Sequence, residues 1–298
     1  MPKQCIICRK EKGSFNEEHV ILDTIGGALK IYSVCKDCNT SLSKNFNVPF
    51  LEEPTIGICR QILQLSRKKG KRGIRNPLEK AVVKSQNGFE KFNASFNKGQ
   101  LITKRTPEVK ISKRLSGYEV NIKAAPAEIE GIKSSILKKY GSLESELKNI
   151  SFKSSEKPLE IHYETKAKPI IYEGLKVAYE FTATVLPNYL SDEWSLEYSK
   201  FIETGKESEF VKEKIDAISC NQKIWLADYE QLSGFPIHLH LIYLRSYKDF
   251  GLVCIVKLFN YFTFHHLSSE SILDSDIVVL LVNDPIERKC EAREIKLI

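Results

Sequence analysis

The chain has 298 residues, 42% hydrophobic and 28% charged, which fits a soluble globular protein large enough to bury a sizeable core. No apolar run approaches the roughly 18–20 residues that span a bilayer, and residues 1–5 lack the apolar stretch of a secretory signal. We therefore expect a cytoplasmic protein with no membrane partner and no structural disulfides.

The net charge of +7 is unevenly distributed. Residues 1–80 contain fifteen Lys/Arg against eight Asp/Glu, whereas the remaining 218 residues contain thirty of each. Such a basic segment favours a polyanion as partner, and a merely solvated basic surface is the alternative.

The predicted elements change in character along the chain. Residues 1–50 are rich in Cys, Gly, Asn and Lys and have only short apolar segments. A helix is predicted at about 55–67, followed by a basic loop that ends at Asn76-Pro77. Beyond it, short β-type segments at about 81–83, 109–112, 118–124 and 159–164 alternate with helices at about 127–140, 171–186, 193–203 and 208–218, and strands return at about 237–244, 252–264 and 277–282. We expect an α+β protein with a small N-terminal module (1–54), a helix and basic connector (55–77) and a larger domain with antiparallel strands and several helices (78–298).

Two cysteine pairs stand out in the N-terminal module. Cys5 and Cys8 form one CxxC motif, and Cys35 and Cys38 form a second. Each motif places two thiolates on one tight turn, so two motifs supply the four ligands of a tetrahedral Zn²⁺ ion. The sequence predicts one structural zinc ion per chain, which would provide folding energy that this core-poor segment lacks. Four buried free cysteines are the alternative interpretation.

Groups suited to catalysis lie between and after these pairs. The segment Glu18-His19-Val20-Ile21 follows the first pair, Gly26-Gly27 permits a tight loop, and Asn39 directly follows Cys38. Together, C-x2-C, E-H-V-I, G-G and C-x2-C-N resemble the HNH endonuclease superfamily, and within it the zinc-containing ββα-metal branch. The resemblance covers about residues 5–50. A weaker likeness extends to the apolar helix at about 171–186, to which no chemistry is assigned.

The resemblance implies a role for each of four residues. His19 would be the general base that takes a proton from the attacking water. Glu18 and Asn47 would hold a catalytic Mg²⁺ or Mn²⁺ ion, and Asn39 would orient the loop that carries His19. Two positions depart from the usual pattern. Leu22 stands where a proline is common, and Asn45 competes with Asn47 as the second metal ligand, with spacing favouring Asn47.

The basic loop is the predicted nucleic-acid contact. Its six cations are separated by two glycines, which suits phosphate contacts without base readout; they are Arg67, Lys68, Lys69, Lys71, Arg72 and Arg75. A solvated loop without a ligand is the alternative.

The resemblance therefore implies a metal-dependent endonuclease that hydrolyses phosphodiester bonds in DNA and leaves 5′-phosphate ends. RNA stays open as a substrate, and restriction or phage defence is a plausible setting. Because one ββα site cuts one strand, double-strand cleavage would need a homodimer or sequential nicks. Residues 78–298 would recognise a DNA feature, an unidentified ligand or a partner protein. The competing interpretation is a non-catalytic zinc-ribbon protein that binds nucleic acid or acts as an adaptor.

Overall fold

The computed structural model describes residues 3–65, 74–79, 81–85, 91–114, 117–124, 126–140, 159–217, 222–274 and 277–296. Contacts divide the chain into two compact units. Unit 1 combines Met1–Arg75 with Thr165–Ile298, and unit 2 comprises Asn76–Glu164. None of the described helices is long and apolar enough to cross a membrane.

The N-terminal part of unit 1 contains a ββα motif. The elements of this part are strands β1 (Lys3–Gln4), β2 (Glu11–Lys12), β3 (Phe15–His19) and β4 (Lys30–Cys35) and helices α1 (Lys36–Leu42), α2 (Val48–Glu52) and α3 (Pro54–Ile62). The motif is formed by β3, β4 and the helical segment from α1 to α2. Strand β3 pairs antiparallel with β4, which runs directly into α1. A π-helical turn, Ser43–Asn47, joins α1 to α2.

Unit 2 is built from antiparallel strands and one helix. Its elements are β5 (Val82–Ser85), β6 (Lys91–Asn97), β7 (Gln100–Arg105), β8 (Glu108–Arg114), β9 (Gly117–Lys123), α4 (Pro126–Tyr140) and β10 (Leu159–His162). Four strands form a sheet in the order β10-β5-β6-β7, and β8 and β9 form a separate hairpin.

The remainder of unit 1 consists of helices followed by one large sheet. The helices are α5 (Ala167–Val185), α6 (Glu193–Thr204), α7 (Glu209–Ala217) and α8 (Gln222–Ser233), and the strands are β11 (His240–Tyr247), β12 (Gly251–Leu258), β13 (Tyr261–Ser268), β14 (Ile277–Asp284) and β15 (Lys289–Lys296). These five strands form an antiparallel sheet in the order β13-β12-β11-β14-β15. The predicted α+β class with antiparallel strands and an N-terminal ββα module is confirmed.

Helix α5 lies at the centre of unit 1. Its side chains are buried almost all round, as expected for a helix packed on two sides, and they include Leu175, Val177 and Phe181. One side of α5 packs on β12 and β13, and the helix also contacts α2 and the π-helical turn of the ββα motif. Burying a side chain such as Phe181 contributes roughly 1.5–3 kcal/mol. A single hydrophobic core therefore joins the ββα motif to the C-terminal sheet.

The turn of the first cysteine pair is also attached to the later helices. The Tyr179 hydroxyl donates a hydrogen bond to the Ile6 carbonyl oxygen at 2.6 Å. Arg9 adopts a left-handed conformation (φ 59°), and its guanidinium donates to the Leu190 carbonyl and the Ser195 hydroxyl, each at 2.6 Å. The N-terminal segment and residues 165–298 thus fold as one body. The functional division at residues 54 and 77 stays a prediction, and the compact units follow other boundaries.

Candidate metal centre and active site

The four cysteines of the CxxC pairs converge. The Sγ atoms of Cys5, Cys8, Cys35 and Cys38 all lie within 4.8 Å of one another, and those of Cys8 and Cys35 are 3.9 Å apart. Tetrahedral coordination with Zn–S bonds of about 2.3 Å would place sulfurs ~3.8 Å apart. Among the described residues this is the one cluster of three or more His, Cys, Asp or Glu ligand atoms. The four thiols are positioned to hold a metal ion, and their chemistry is consistent with zinc.

The surroundings of the cluster favour ionisation of one of its thiols, that of Cys5. The hydrogen bond with Cys38 lowers the pKa of Cys5, and backbone hydrogen bonds lower it further. The Cys35 amide, for example, donates to the Cys5 sulfur at 3.3 Å. The hydrogen bond with Cys5 raises the pKa of Cys38, and burial raises that of Cys8. Cys5 is therefore the thiol best prepared to act as a thiolate ligand. Because Cys35 ends β4 and Cys38 lies in α1, a bound metal would fix the start of α1 against the first turn.

Glu18 and His19 form the end of strand β3. A register shift between Asn16 and Glu18 interrupts the pairing with β4, after which Glu18 lies opposite Ile31 and His19 opposite Lys30. Such an irregularity re-aims the side chains that follow it. The Glu18 side chain points inward and is buried, whereas His19 is partly exposed.

Asn39 holds the Glu18 carboxylate. Its Nδ2 atom donates to Glu18 Oε2 at 2.7 Å and to the Glu17 carbonyl oxygen at 3.3 Å. The sequence predicts that Asn39 orients the loop that carries His19. In the structure, Asn39 contacts the Glu18 side chain and the backbone carbonyl of Glu17 in the same strand. This contact fixes one carboxylate oxygen of Glu18 and leaves the other, Oε1, facing elsewhere.

Glu18 Oε1 faces a buried lysine. Lys176 Nζ in helix α5 lies 3.2 Å from Glu18 Oε1, 3.4 Å from Glu173 Oε1 and 3.6 Å from Glu180 Oε2. Burial alone would lower the pKa of Lys176, but the three carboxylates together outweigh it and raise that pKa. Burial raises the pKa of both Glu173 and Glu180. Lys176 therefore remains a cation, and protonation of Glu173 or Glu180 reduces the excess negative charge around it.

The His19 ring lies between a backbone carbonyl and a carboxylate. Its Nδ1 atom is 3.2 Å from the Gly27 carbonyl oxygen, and its Nε2 atom is 3.3 Å from Glu17 Oε1. Both partners are acceptors, so the ring can donate from Nδ1 to the carbonyl, from Nε2 to the carboxylate, or from both nitrogens when it is protonated. Glu17 is also bonded to Lys30 and Tyr32 on β4, and the hydrogen bond from Lys30 lowers the pKa of Glu17 to about 2. In the Nδ1–H tautomer, Nε2 presents its lone pair beside a carboxylate that would stabilise the protonated ring.

The two candidate asparagines have different surroundings. Asn45 lies against Gly205 at the end of α6, where its side-chain amide is the nearest neighbour of the glycine. Asn47 Oδ1, at the end of the π-helical turn, is buried and has no hydrogen-bond partner among the residues that the structure describes. A buried amide oxygen without a partner costs free energy, and of the two asparagines Asn47 is the one whose side-chain oxygen is buried in this way.

The basic loop falls largely outside the described residues. Of its six predicted contacts, the structure describes Arg75, which is exposed. The other five, Arg67, Lys68, Lys69, Lys71 and Arg72, lie outside the described residues, and their role stays a prediction.

Four residues around the site have no assigned role in the sequence pattern. They are Glu17, Lys176, His240 and Asn283. Glu17 carries a local signal, since it directly precedes Glu18-His19. Lys176 lies in the helix that shows the weaker family likeness. His240 resembles an ordinary residue of an alternating strand, and no motif marks Asn283.

Comparison with known proteins agrees with this geometry. Residues 5–55 match the family model of the HNH endonucleases. No curated protein and no solved structure shows significant similarity to the chain. The match covers the ββα motif, the cysteine cluster and the segment that carries Glu18, His19, Asn39 and Asn47. Residues 5–55 are therefore an HNH module with a four-cysteine cluster consistent with a zinc site, and this module supports a nuclease-type function.

Proposed function

We propose that this protein is a metal-dependent endonuclease that hydrolyses phosphodiester bonds in DNA, with His19 as its general base. The supporting observation is the arrangement at the end of β3. His19 Nδ1 rests on the Gly27 carbonyl, and the neighbouring Glu18 carboxylate is held by Asn39. Both residues lie within the segment that matches the HNH endonucleases.

His19 performs the proton transfer in this proposal. The Gly27 carbonyl holds the Nδ1 proton, so the Nε2 lone pair is free to take a proton from a water molecule that attacks phosphorus. Glu17 Oε1 lies 3.3 Å from Nε2 and would stabilise the imidazolium that results. The general base must lie within reach of water, and the His19 imidazole is partly exposed.

The oxygens of Glu18 and Asn47 fit a hard divalent cation. Asn47 Oδ1 is buried without a hydrogen bond among the described residues, and Glu18 Oε1 is buried beside the Lys176 ammonium group at 3.2 Å. Mg²⁺ and Mn²⁺ prefer such oxygen ligands and commonly use only one or two from the protein. When bound, the ion would stabilise negative charge on the phosphate and on the leaving oxygen. Asn39 keeps the Glu18 carboxylate oriented, and the four cysteines hold a structural zinc ion apart from this chemistry.

The biological setting is a further part of the proposal. A small nuclease module joined to a large domain of unassigned specificity suits a restriction or phage-defence enzyme in the cytoplasm. RNA remains an alternative substrate. The basic loop would contact phosphates, and a homodimer or sequential nicking would be required for double-strand breaks. Phage protection that survives His19→Ala would contradict a nuclease-based defence role.

A non-catalytic nucleic-acid-binding or adaptor protein is the second candidate. The ion pair between Lys176 and Glu18 favours it, because the ammonium group already neutralises the carboxylate that would bind the metal. This candidate requires the cysteines for folding but tolerates replacement of Glu18, His19 and Asn47.

The deciding experiment compares wild type with His19→Ala in plasmid nicking, with Mg²⁺, Mn²⁺ or EDTA, after about one zinc ion per chain has been confirmed. We expect metal-dependent nicking that falls by about 100-fold or more in the variant, with zinc content and DNA binding retained. The matched control is His162→Ala, because His162 is exposed and lies outside the HNH module. If zinc-loaded wild type cuts neither modified, single-stranded nor RNA substrates, the non-catalytic candidate replaces the nuclease.

A further inference from the structure

We propose that Asn283 of strand β14, assisted by His240 of β11, is a positioning residue that aims the Gly27 carbonyl at His19. This inference rests on the proposed role of His19 as general base. It assigns a catalytic-site function to the C-terminal sheet, which lies outside the segment that matches the HNH endonucleases.

The loop between β3 and β4 must present one carbonyl in a defined direction. His19 Nδ1 contacts the Gly27 carbonyl oxygen, and no side chain of the loop takes part. Gly27 has no side chain because a Cβ there would overlap the Ile21 carbonyl, and Gly26 has a left-handed φ of 87° with Pro285 packed against it. Glycines permit this path but do not fix it, since their backbone is the least restricted. Within the loop the Gly27 amide donates to the Leu22 carbonyl oxygen at 2.9 Å, whereas the next peptide group, Gly27–Ala28, is held from outside the loop.

Asn283 holds the loop on both sides of Gly27. Its Oδ1 accepts a hydrogen bond from the Ala28 amide at 2.8 Å, and its Nδ2 donates to the Gly26 carbonyl oxygen at 3.2 Å. The Asn283 side chain is fully buried, so these bonds are shielded from water. One amide side chain thereby bridges the two peptide groups that flank Gly27.

The geometry of the peptide bond turns this contact into a directional one. The Ala28 N–H and the Gly27 C=O belong to one planar trans peptide group, in which they point in opposite directions. Fixing the Ala28 N–H on Asn283 therefore fixes the Gly27 C=O on the opposite side, towards His19. The orientation of the buried Asn283 side chain is thus transmitted, through the Gly27–Ala28 peptide group, to the His19 ring that would act as base.

His240 secures the preceding turn. The Phe259 amide donates to His240 Nδ1 at 3.0 Å, so Nδ1 is an acceptor and the ring is neutral with its proton on Nε2. His240 Nε2 then donates to the Ile25 carbonyl oxygen at 2.9 Å. Ile25, Gly26 and Ala28, the residues around Gly27, are thus all bonded to the C-terminal sheet.

The test follows the His19 ring directly by ¹⁵N–¹H NMR of the full-length, zinc-loaded protein without catalytic metal. At about pH 8, above the ordinary imidazole pKa, wild type should show the Nδ1–H tautomer of His19, assigned by its absence in His19→Ala. In Asn283→Leu, which removes both hydrogen bonds but keeps a buried side chain of similar size, the Nδ1–H signal should weaken in favour of the Nε2–H form. The catalytic constant for nicking should fall by about 100-fold with little change in KM, as expected for a displaced catalytic group.

A matched control separates positioning from loss of stability. Ser246→Ala removes another buried side-chain contact of the same sheet, the one that accepts from the Leu273 amide at 3.1 Å. It should leave the His19 tautomer and the catalytic constant unchanged. If Asn283→Leu fails to fold, Asn283→Ala, which removes the same bonds without bulk, takes its place.

Each outcome decides a different question. An Nε2–H tautomer in wild type, or an unchanged His19 spectrum in a folded Asn283 variant, overturns the positioning role. Wild type that never cuts, while its His19 tautomer depends on Asn283, overturns the proposed nuclease function and leaves the structural coupling standing.

Discussion

Glu18 Oε1 lies 3.2 Å from Lys176 Nζ, and both side chains are buried. This ion pair joins the end of β3 to the middle of α5, so the proposed metal ligand of the HNH module is held by a helix outside it. The energetic consequence can be measured independently of any activity.

We expect Lys176→Met to destabilise the protein strongly, by about 3–5 kcal/mol, because it leaves the Glu18 carboxylate buried without its counter-ion. The measurement is the free energy of unfolding in urea. Lys200→Met is the control, since Lys200 forms an exposed ion pair with Glu197 at 2.6 Å and should change stability by about 1 kcal/mol or less. Equal effects of the two substitutions would contradict a buried charge cluster around Lys176.

Replacing a cysteine of the metal centre should unfold the HNH module. In Cys38→Ser, zinc content measured by atomic emission should drop from about one ion per chain to near zero, because one of the four thiolate ligands is removed. Helical signal and thermal stability should fall with it, since metal binding contributes to folding. Cys290→Ser is the control, because Cys290 is partly buried in β15 and lies outside the cluster. Full zinc retention in Cys38→Ser would show that the four thiols are not its ligands.

His240 should make the protein sensitive to acid. Burial lowers the pKa of His240 to about 4, whereas the unfolded chain binds the proton near the ordinary value of about 6.5. Between these values the unfolded state holds more protons, so stability falls as the pH is lowered from about 6.5 to about 4. Over this pH range the free energy of unfolding should fall by on the order of 3 kcal/mol.

The measurement for His240 is the free energy of unfolding across that pH range in wild type and His240→Gln. The glutamine amide can still donate to the Ile25 carbonyl and accept from the Phe259 amide, but it does not titrate. The variant should lose less stability on acidification. Its charged neighbours Lys257, His238 and Asp284 are the same in both proteins, so a pH dependence identical to wild type would exclude His240 as the source.

The basic loop should determine the salt dependence of nucleic-acid binding. Replacing its six Lys and Arg residues by Gln should reduce the slope of log K against log salt by up to about 0.9 for each phosphate that the loop neutralises. Fluorescence anisotropy over a salt series measures the slope. The control replaces Lys200, Lys206 and Lys212, three exposed lysines of the α6–α7 region. An unchanged slope in the loop variant would remove these residues from the interface.

Local patterns predict most of the helices and the metal centre. The helix expected at 171–186 is observed as Ala167–Val185, and that expected at 208–218 as Glu209–Ala217. Each CxxC motif places its own two cysteines on one turn. The structure shows that the two pairs also converge. Helix Gln222–Ser233 and strand Lys91–Asn97 are not among the predicted elements, although Phe92, Ala94 and Phe96 alternate as a strand requires.

The rest of the site depends on contacts that no local pattern encodes. Lys176 meets Glu18 only because α5 packs against the HNH module, and Asn283 meets Ala28 only after the sheet has formed. The charge distribution is hidden in the same way. Beyond residue 80 the numbers of basic and acidic residues are equal. This equality conceals a basic unit 2, which has sixteen basic and eleven acidic residues in 76–164. It also conceals an acidic C-terminal part, which has fifteen basic and twenty acidic residues in 165–298.

The insertion of unit 2 into unit 1 also sets the order of events during synthesis. Ala28 and Asn283 are separated by 255 positions in the chain, so a ribosome releases the HNH module long before the strand that would aim its general base. A nascent chain therefore carries His19 and the Gly27 loop before the sheet that holds this loop has been made. Under the proposed function, full cleavage competence arises only after β14 has been synthesised, and a nuclease built this way would spare the DNA of its own cell from prematurely terminated products.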